Sequence, residues 1–170
     1  MLIFITGFPG SGKSFLGMQA ATQLKFSFSD TDRLIEKKVG EGIHDIFKKF
    51  GEDYFRKIES EVIRSIPKNK DTIVSVGGGL PCFHDNMQWM TANGFTVYLE
   101  ASAAFLFHRL VKEKSKRPLI SGLSDVELMI YITETLAARR PVYEQASLKL
   151  NAETVTPARL ITAIKANRKK

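Results

Sequence analysis

Gly7-Phe8-Pro9-Gly10-Ser11-Gly12-Lys13-Ser14 constrain this chain more than any other stretch, because they fit G-x-x-x-x-G-K-[ST] in full. Such a loop wraps backbone N–H groups around a phosphate, and it needs a strand before it and a helix after it, whose positive end faces the anion. Both flanks comply. Leu2-Ile-Phe-Ile5 is a continuous apolar run of the kind a buried central strand makes. From Lys13 to Leu24 the apolar residues Phe15, Leu16, Ala20, Ala21 and Leu24 recur at helical spacing. Lys13 is then placed to reach the outer phosphates of a nucleotide, and the Ser14 hydroxyl to bind Mg²⁺.

Strands alternating with longer helical patterns continue to the end of the chain and predict one α/β domain with a five-stranded parallel sheet. A second strand is expected at Lys25–Ser29 and helices at Arg33–Val39, Ile43–Phe50 and Asp53–Ile66, with Gly40, Gly51 and Pro67 as stops. Thr72–Val76 is the clearest strand and runs into Gly77-Gly78-Gly79. A helix around Asp85–Asn93, a strand at Phe95–Leu99 and a helix capped by Ser102 follow. Residues 112–122 break the pattern, with charges, Pro118 and Gly122, and read as a mobile flap. Ser124-Asp-Val-Glu127 matches a capping box opening a helix to Arg139. Leu148–Leu150 is the last strand, and Pro157 opens the last helix at its first position.

Composition narrows the setting. With 170 residues, 44% of them hydrophobic, the chain can bury a core without disulfides or a structural metal. The single cysteine, Cys82, excludes an intramolecular disulfide and a Cys-based zinc site, so a reducing, cytoplasmic home is expected. No apolar run approaches the roughly 18 residues of a membrane span, and no basic segment precedes the first strand as in a secretory leader. A net charge of +7 suits anionic ligands, although Lys165, Arg168, Lys169 and Lys170 at the end of the chain supply more than half of it. His44, His84 and His108 are too scattered for a metal triad.

Other residue sets point to chemistry at the phosphate end. Asp30 and Asp32 follow the second strand; in an extended segment, residues two apart face one side, so both carboxylates would look toward the loop. One would hold hydrated Mg²⁺ and the other orient or deprotonate an attacking hydroxyl, while Thr31 or Asp32 also suits a helix cap. Arg56 and Glu59 have the spacing of a helical ion pair, which is commonly a solvated surface pair. Three glycines after a strand call for close backbone approach to a ligand. Arg117 in the flap and Arg139-Arg140 at a helix end are candidate anion clamps, or simply partners of the helix dipole.

In this order and spacing the pieces resemble the shikimate kinase family: the phosphate loop, Asp30-Thr31-Asp32, Gly51-Glu52-x-x-Phe55-Arg56-x-x-Glu59, the glycine triplet, Arg117-Pro118-Leu119 and Arg139-x-Pro141-x-Tyr143. The resemblance covers nearly the whole chain. It implies transfer of the ATP γ-phosphoryl group to the 3-hydroxyl of shikimate, in the route to chorismate and aromatic amino acids. It also implies a three-layer P-loop NTPase fold of the nucleoside monophosphate kinase type, strand order 2-3-1-4-5. The single domain would divide into a core (1–111 and 125–170), a substrate-binding helical segment (about 31–60) and a mobile lid (about 112–124).

By the same resemblance, Gly10, Ser11, Gly12, Lys13, Ser14, Phe15, Arg109 and Arg117 would bind ATP. Asp32 would hold the acceptor hydroxyls and act as base, with Lys13 and Arg117 completing the catalytic set. Arg56 and Arg139 would grip the acceptor carboxylate, Glu59 would orient Arg56, Phe47 and Phe55 would line the pocket, and Gly77, Gly78 and Gly79 would approach the substrate through backbone. Ser14 and Asp30 would hold Mg²⁺. ATP and shikimate would be the only partners, with no nucleic acid or membrane, and the enzyme a monomer. The chain departs from the family's pattern at Phe15, where a hydroxyl is usual, at Met18, where a basic residue is common, and at Arg140, a second arginine beside Arg139. Spacing to Pro141 and Tyr143 favours Arg139. The competing readings are another kinase of this fold, such as a gluconate kinase, and a nucleotide-binding module without catalysis.

Overall fold

The computed structural model describes residues 1–117 and 119–167, without the side chains of Ser115 and Lys116. Pro118 of the Arg117-Pro118-Leu119 triplet and the basic residues Arg168, Lys169 and Lys170 lie outside the described residues.

Five parallel strands form one sheet in the order β2-β3-β1-β4-β5, as expected: β1 Leu2–Thr6, β2 Ser27–Asp30, β3 Thr72–Ser75, β4 Phe95–Glu100 and β5 Leu148–Asn151. The central strand is apolar throughout because both its faces are covered. Ile3 and Ile5 pack with Leu16, Ala20, Ile73, Val97, Leu160 and Ile164, against α1 (Lys13–Leu24) and α7 (Pro157–Asn167). Leu2 and Phe4 point the other way, into Ile63, Val74, Met87 and Met90 of α3 (Ile43–Ser65), β3 and α4 (Asn86–Asn93). Period-two alternation thus builds the three layers. On this second side a further cluster joins Phe8 and Tyr98 to Leu106, Ile132 and Tyr143 of α5 (Ala103–Leu110) and α6 (Asp125–Tyr143). A separate small core of Ile35, Ile46, Phe55, Ile58 and Val62 joins α2 (Thr31–Val39) to α3.

The boundaries differ from expectation where backbone chemistry overrides pattern. Lys25 is not in β2; it takes a left-handed conformation (φ 56°) and turns its N–H back to the carbonyls of Ala21 and Thr22, closing α1. Asp30 caps α2, which starts at Thr31 rather than Arg33. The two helices expected on either side of Gly51 are joined in α3, with a kink at Gly51 (φ 79°, ψ 175°), a left-handed conformation that glycine accepts without strain. The expected capping box forms, Ser124 and Glu127 satisfying one another's backbone N–H groups. Its helix, α6, runs on past Arg139 to Tyr143 with Pro141 inside it. Residues expected to be aperiodic hold a 3-10 turn at Val111–Lys116, and Ile120 is buried against the core.

All five strands run the same way, so the phosphate loop after β1, Asp30 at the end of β2 and the glycines after β3 meet at one edge of the sheet. In open α/β sheets this carboxyl edge is where ligands sit.

Candidate active site

A cleft of about 540 Å³ opens at that edge, and among its walls are Gly10, Gly12, Lys13, Ser14, Phe15, Asp30, Asp32, Gly77, Gly78, Arg109 and Arg117. The sequence reading had placed all of these in one site, though not for the right reason at Asp30 and Asp32. The extended conformation ends at Asp30, and the helix begins at Thr31. Asp30 Oδ1 accepts the backbone N–H of Asp32 at 3.0 Å, so Asp30 is itself the cap of α2, and both carboxylates reach the cleft from a helix start.

Lys13 is buried, and its Nζ donates to the carbonyls of Gly7 and Phe8, each at 2.9 Å. Burial pushes its ammonium down to about 8, with Asp32 opposing and Arg117 adding to the shift. Ser14 Oγ donates to Asp30 Oδ2 at 2.6 Å and lies 2.9 Å from Ser75 Oγ. Asp32 is raised to about 6 by burial and then by Asp30, against the pull of Lys13 and Arg117. Arg117 pairs with Glu113 at 3.0 Å, and its buried Nε finds no partner among the described residues. Arg109 Nη1 donates to the Gly10 carbonyl at 3.1 Å, with its guanidinium over the Phe105 ring. Ser11, within the loop, is buried and does not line the cleft.

The glycine triplet is explained by close approach, but to the protein's own groups. A Cβ on Gly77 would lie 2.8 Å from Asp32 Oδ1 and 3.1 Å from Glu59 Oε1. On Gly78 it would lie 2.5 Å from Pro9 Cδ, and on Gly79 2.5 Å from Arg56 Nη1. The Gly77 N–H donates to Thr31 Oγ1 at 2.8 Å, and Tyr143 donates its phenol proton to the Gly78 carbonyl at 2.5 Å.

Arg56, Glu59, Phe47, Phe55, Gly79 and Arg139 line neither this cleft nor the second cavity described below. The Arg56–Glu59 pair is not a solvated surface pair. It spans 2.8 Å with both residues buried, Arg56 at 5% and Glu59 at 1% exposure. Burial pushes Glu59 up to about 7, with Arg56 opposing; burial also works against the charge of Arg56, but Glu59 and Glu52 outweigh it and hold the guanidinium above its usual value. The Phe47 and Phe55 rings stack 4.4 Å apart beside it. Arg139 lies over the Phe8 ring, 5.8 Å from its centroid, and its charge is felt by Lys13, Glu59 and Tyr143; Arg140 is exposed and acts on Tyr98 instead. A second cavity, about 500 Å³, runs from Gly42, Ile43 and His44 to Leu119 and Tyr131, sharing Pro9, Asp32, Glu113 and Arg117 with the first.

Sequence reasoning missed Ser75, Glu52 and Phe83. Ser75 is one of two hydroxyl residues of β3, two positions ahead of the glycines, and no local pattern singles it out. Glu52 stands in the quoted motif at i,i+4 from Arg56, yet that spacing alone describes countless surface pairs. Nothing marked Phe83, whose ring lies 4.3 Å from Arg56 Cζ.

For a divalent cation the site offers hard oxygens, Ser14 Oγ, Asp30 Oδ2 and Ser75 Oγ, and no group of three His, Cys, Asp or Glu among the described residues. Few protein ligands beside a phosphate loop suit Mg²⁺, which keeps much of its water and takes phosphate oxygens. The arrangement as a whole can hold a polyphosphate and present a carboxylate of raised pKa to an acceptor.

Comparison with known proteins covers the same span. The family model for shikimate kinase matches residues 9–167. A shikimate kinase of Phocaeicola vulgatus is 39% identical over 161 residues, 95% of this chain and 92% of that protein. The crystal structure of shikimate kinase from Bacteroides thetaiotaomicron has a TM-score of 0.88 and 34% identity, covering 99% of this chain and 97% of the other. That of shikimate kinase from Acinetobacter baumannii, in complex with shikimate, has a TM-score of 0.88 at 28% identity, covering 99% and 95%.

Proposed function

The chain belongs to the shikimate kinase family, and from its geometry we propose how it carries out that family's reaction. It uses ATP to phosphorylate the 3-hydroxyl of shikimate, giving shikimate 3-phosphate and ADP on the way to chorismate.

Phosphoryl transfer asks the protein for positioning and charge stabilisation more than for covalent chemistry. Gly10, Ser11 and Gly12 cradle the nucleotide phosphates with their N–H groups, and Lys13 turns from the Gly7 and Phe8 carbonyls to an outer phosphate. Arg109 and Phe15 hold the nucleotide at the cleft mouth. Ser14 and Asp30, with Ser75 beside them, would hold Mg²⁺, which when bound neutralises charge on the β- and γ-phosphates. Arg56 and Arg139 take the carboxylate of shikimate, Glu59 fixes Arg56, and Phe47 and Phe55 pack against the ring. Gly77, Gly78 and Gly79 let the acceptor approach the backbone. Asp32 accepts the 3-hydroxyl proton, and Arg117 balances charge developing on the transferred group.

Segment 112–124 acts as the lid, bringing Arg117 and excluding water that would otherwise take the phosphoryl group. We take the enzyme to act as a monomer in the cytoplasm, a setting that the single cysteine, Cys82, suits. No described helix is long and apolar enough to cross a membrane.

The observation that carries this division of labour is Asp32: a carboxylate raised to about 6, on the cleft wall between Lys13, Arg117 and Gly77. Such a group is ionised at neutral pH yet basic enough to take a proton. A coupled ADP-release assay with Mg·ATP, with and without shikimate and with gluconate as control, tests the whole. Shikimate-dependent release is expected; release with gluconate instead, or none despite ATP binding, overturns it.

A further inference from the structure

Arg56 is the group proposed to grip the acceptor carboxylate, yet the protein itself surrounds it. The Gly79 backbone lies against the guanidinium, where a Cβ would sit 2.5 Å from Nη1 and 3.0 Å from both Cζ and Nη2. Phe83 covers Cζ at 4.3 Å, and Nη1 donates to Glu59 at 2.8 Å. The Nε–Nη2 edge, the fork that a ligand carboxylate matches, donates to a single oxygen, Glu52 Oε1, at 3.0 and 2.7 Å.

These neighbours differ in how readily they can leave. Gly79 and Phe83 belong to the turn after β3. Glu59 is 1% exposed, and withdrawing it would strand a buried charge. The Glu52 side chain is 52% exposed, so its ion pair is held weakly against water. It also follows Gly51, whose kink makes Glu52 the opening residue of the second half of α3. An acidic side chain there remains favourably placed near the positive end of that helix after turning outward.

We propose that Glu52 is an internal stand-in for the acceptor carboxylate, occupying the Nε–Nη2 edge of Arg56 until a ligand carboxylate displaces it. This exchange rests on the reading that Arg56 holds the acceptor, and it adds a selection rule. A ligand enters only by offering an anion better placed than Glu52, one that reaches Arg139 as well. A neutral polyol has nothing to exchange and leaves Arg56 paired. The wild type therefore binds shikimate with the fraction of Arg56 that is free of Glu52, and its affinity is reduced by that fraction.

The sign of one substitution decides the matter. Shikimate is titrated calorimetrically into wild type, Glu52→Gln, Glu52→Ala and Arg56→Ala without nucleotide, with thermal melts to check folding. Both Glu52 variants should bind shikimate about three- to tenfold more tightly, with KM for shikimate falling in proportion and KM for ATP unchanged. Unchanged or weaker binding in both overturns the exchange; a group that merely oriented Arg56 would weaken binding when lost. Arg56→Ala separates the two levels. If it leaves shikimate affinity intact, the parent reading of Arg56 fails and the exchange with it. If it weakens affinity while neither Glu52 variant strengthens it, the exchange alone fails.

Discussion

The phenol of Tyr143 donates to the carbonyl of Gly78 at 2.5 Å. This bond ties the last turn of α6 to the turn after β3, at the residue whose other side abuts Pro9 of the phosphate loop. Arg139 stands one helical turn before Tyr143, so the same bond helps to set where that arginine lies. The helix carrying it is positioned by a half-buried polar contact as well as by apolar packing.

Tyr143→Phe should therefore cost more than its small change in shape. It leaves the half-buried Gly78 carbonyl without its donor, a loss of about 0.5–1.5 kcal/mol in stability by thermal or denaturant melt. The KM for shikimate should rise more than that for ATP, because Arg139 is loosened and the phosphate loop is not.

Asp32→Asn should lower kcat by about 10²- to 10⁴-fold with ATP binding nearly intact. In wild type, kcat/KM should climb through pH 6 as Asp32 ionises and flatten above it. Stability runs the other way. A carboxyl whose folded pKa is raised contributes its stability below its unfolded pKa, and the contribution is lost as pH rises through about 6. The Asn variant should thus melt higher than wild type at pH 8, by about 1–3 kcal/mol once solvent screening at the cleft is allowed for. The gain should vanish below pH 4. Equal melting at pH 8 would mean that water in the cleft solvates Asp32 fully.

Arg139→Ala should raise the KM for shikimate by at least tenfold, the scale of losing one partner of a buried charged contact. Arg140→Ala should stay within about twofold of wild type, since Arg140 is exposed and faces Tyr98. The reverse ranking would move the carboxylate clamp to Arg140.

Ser75→Ala removes the hydroxyl 2.9 Å from Ser14 Oγ. A lost hydrogen bond of about 0.5–1.5 kcal/mol should raise the KM for Mg·ATP about two- to tenfold and leave that for shikimate unchanged. Titrating Mg²⁺ at fixed ATP should show the defect as a higher metal requirement.

The nucleotide half of the site was legible because its residues are contiguous: a glycine loop with Lys13 and Ser14 leaves few other uses for that sequence. Strand order came with the resemblance. Asp30 and Asp32 were found by a false route, since extended-chain alternation was assumed where a helix cap brings the two carboxylates round. Burial was the larger gap. Arg56 and Glu59 have the spacing of any surface pair, and only the close packing of Gly79 and Phe83 makes them an interior one. Glu52 and Ser75 were hidden because their partners lie across a guanidinium edge and a strand gap, relations that no local pattern encodes.

The three glycines after β3 face three different neighbours: the acid cluster of Asp32 and Glu59, the ring of Pro9, and the guanidinium of Arg56. A methyl group at any one of them would wedge apart a different part of the machinery. For anyone redesigning this enzyme toward another acid, the triplet is therefore fixed ground, and new specificity has to be carved from the side chains that surround it.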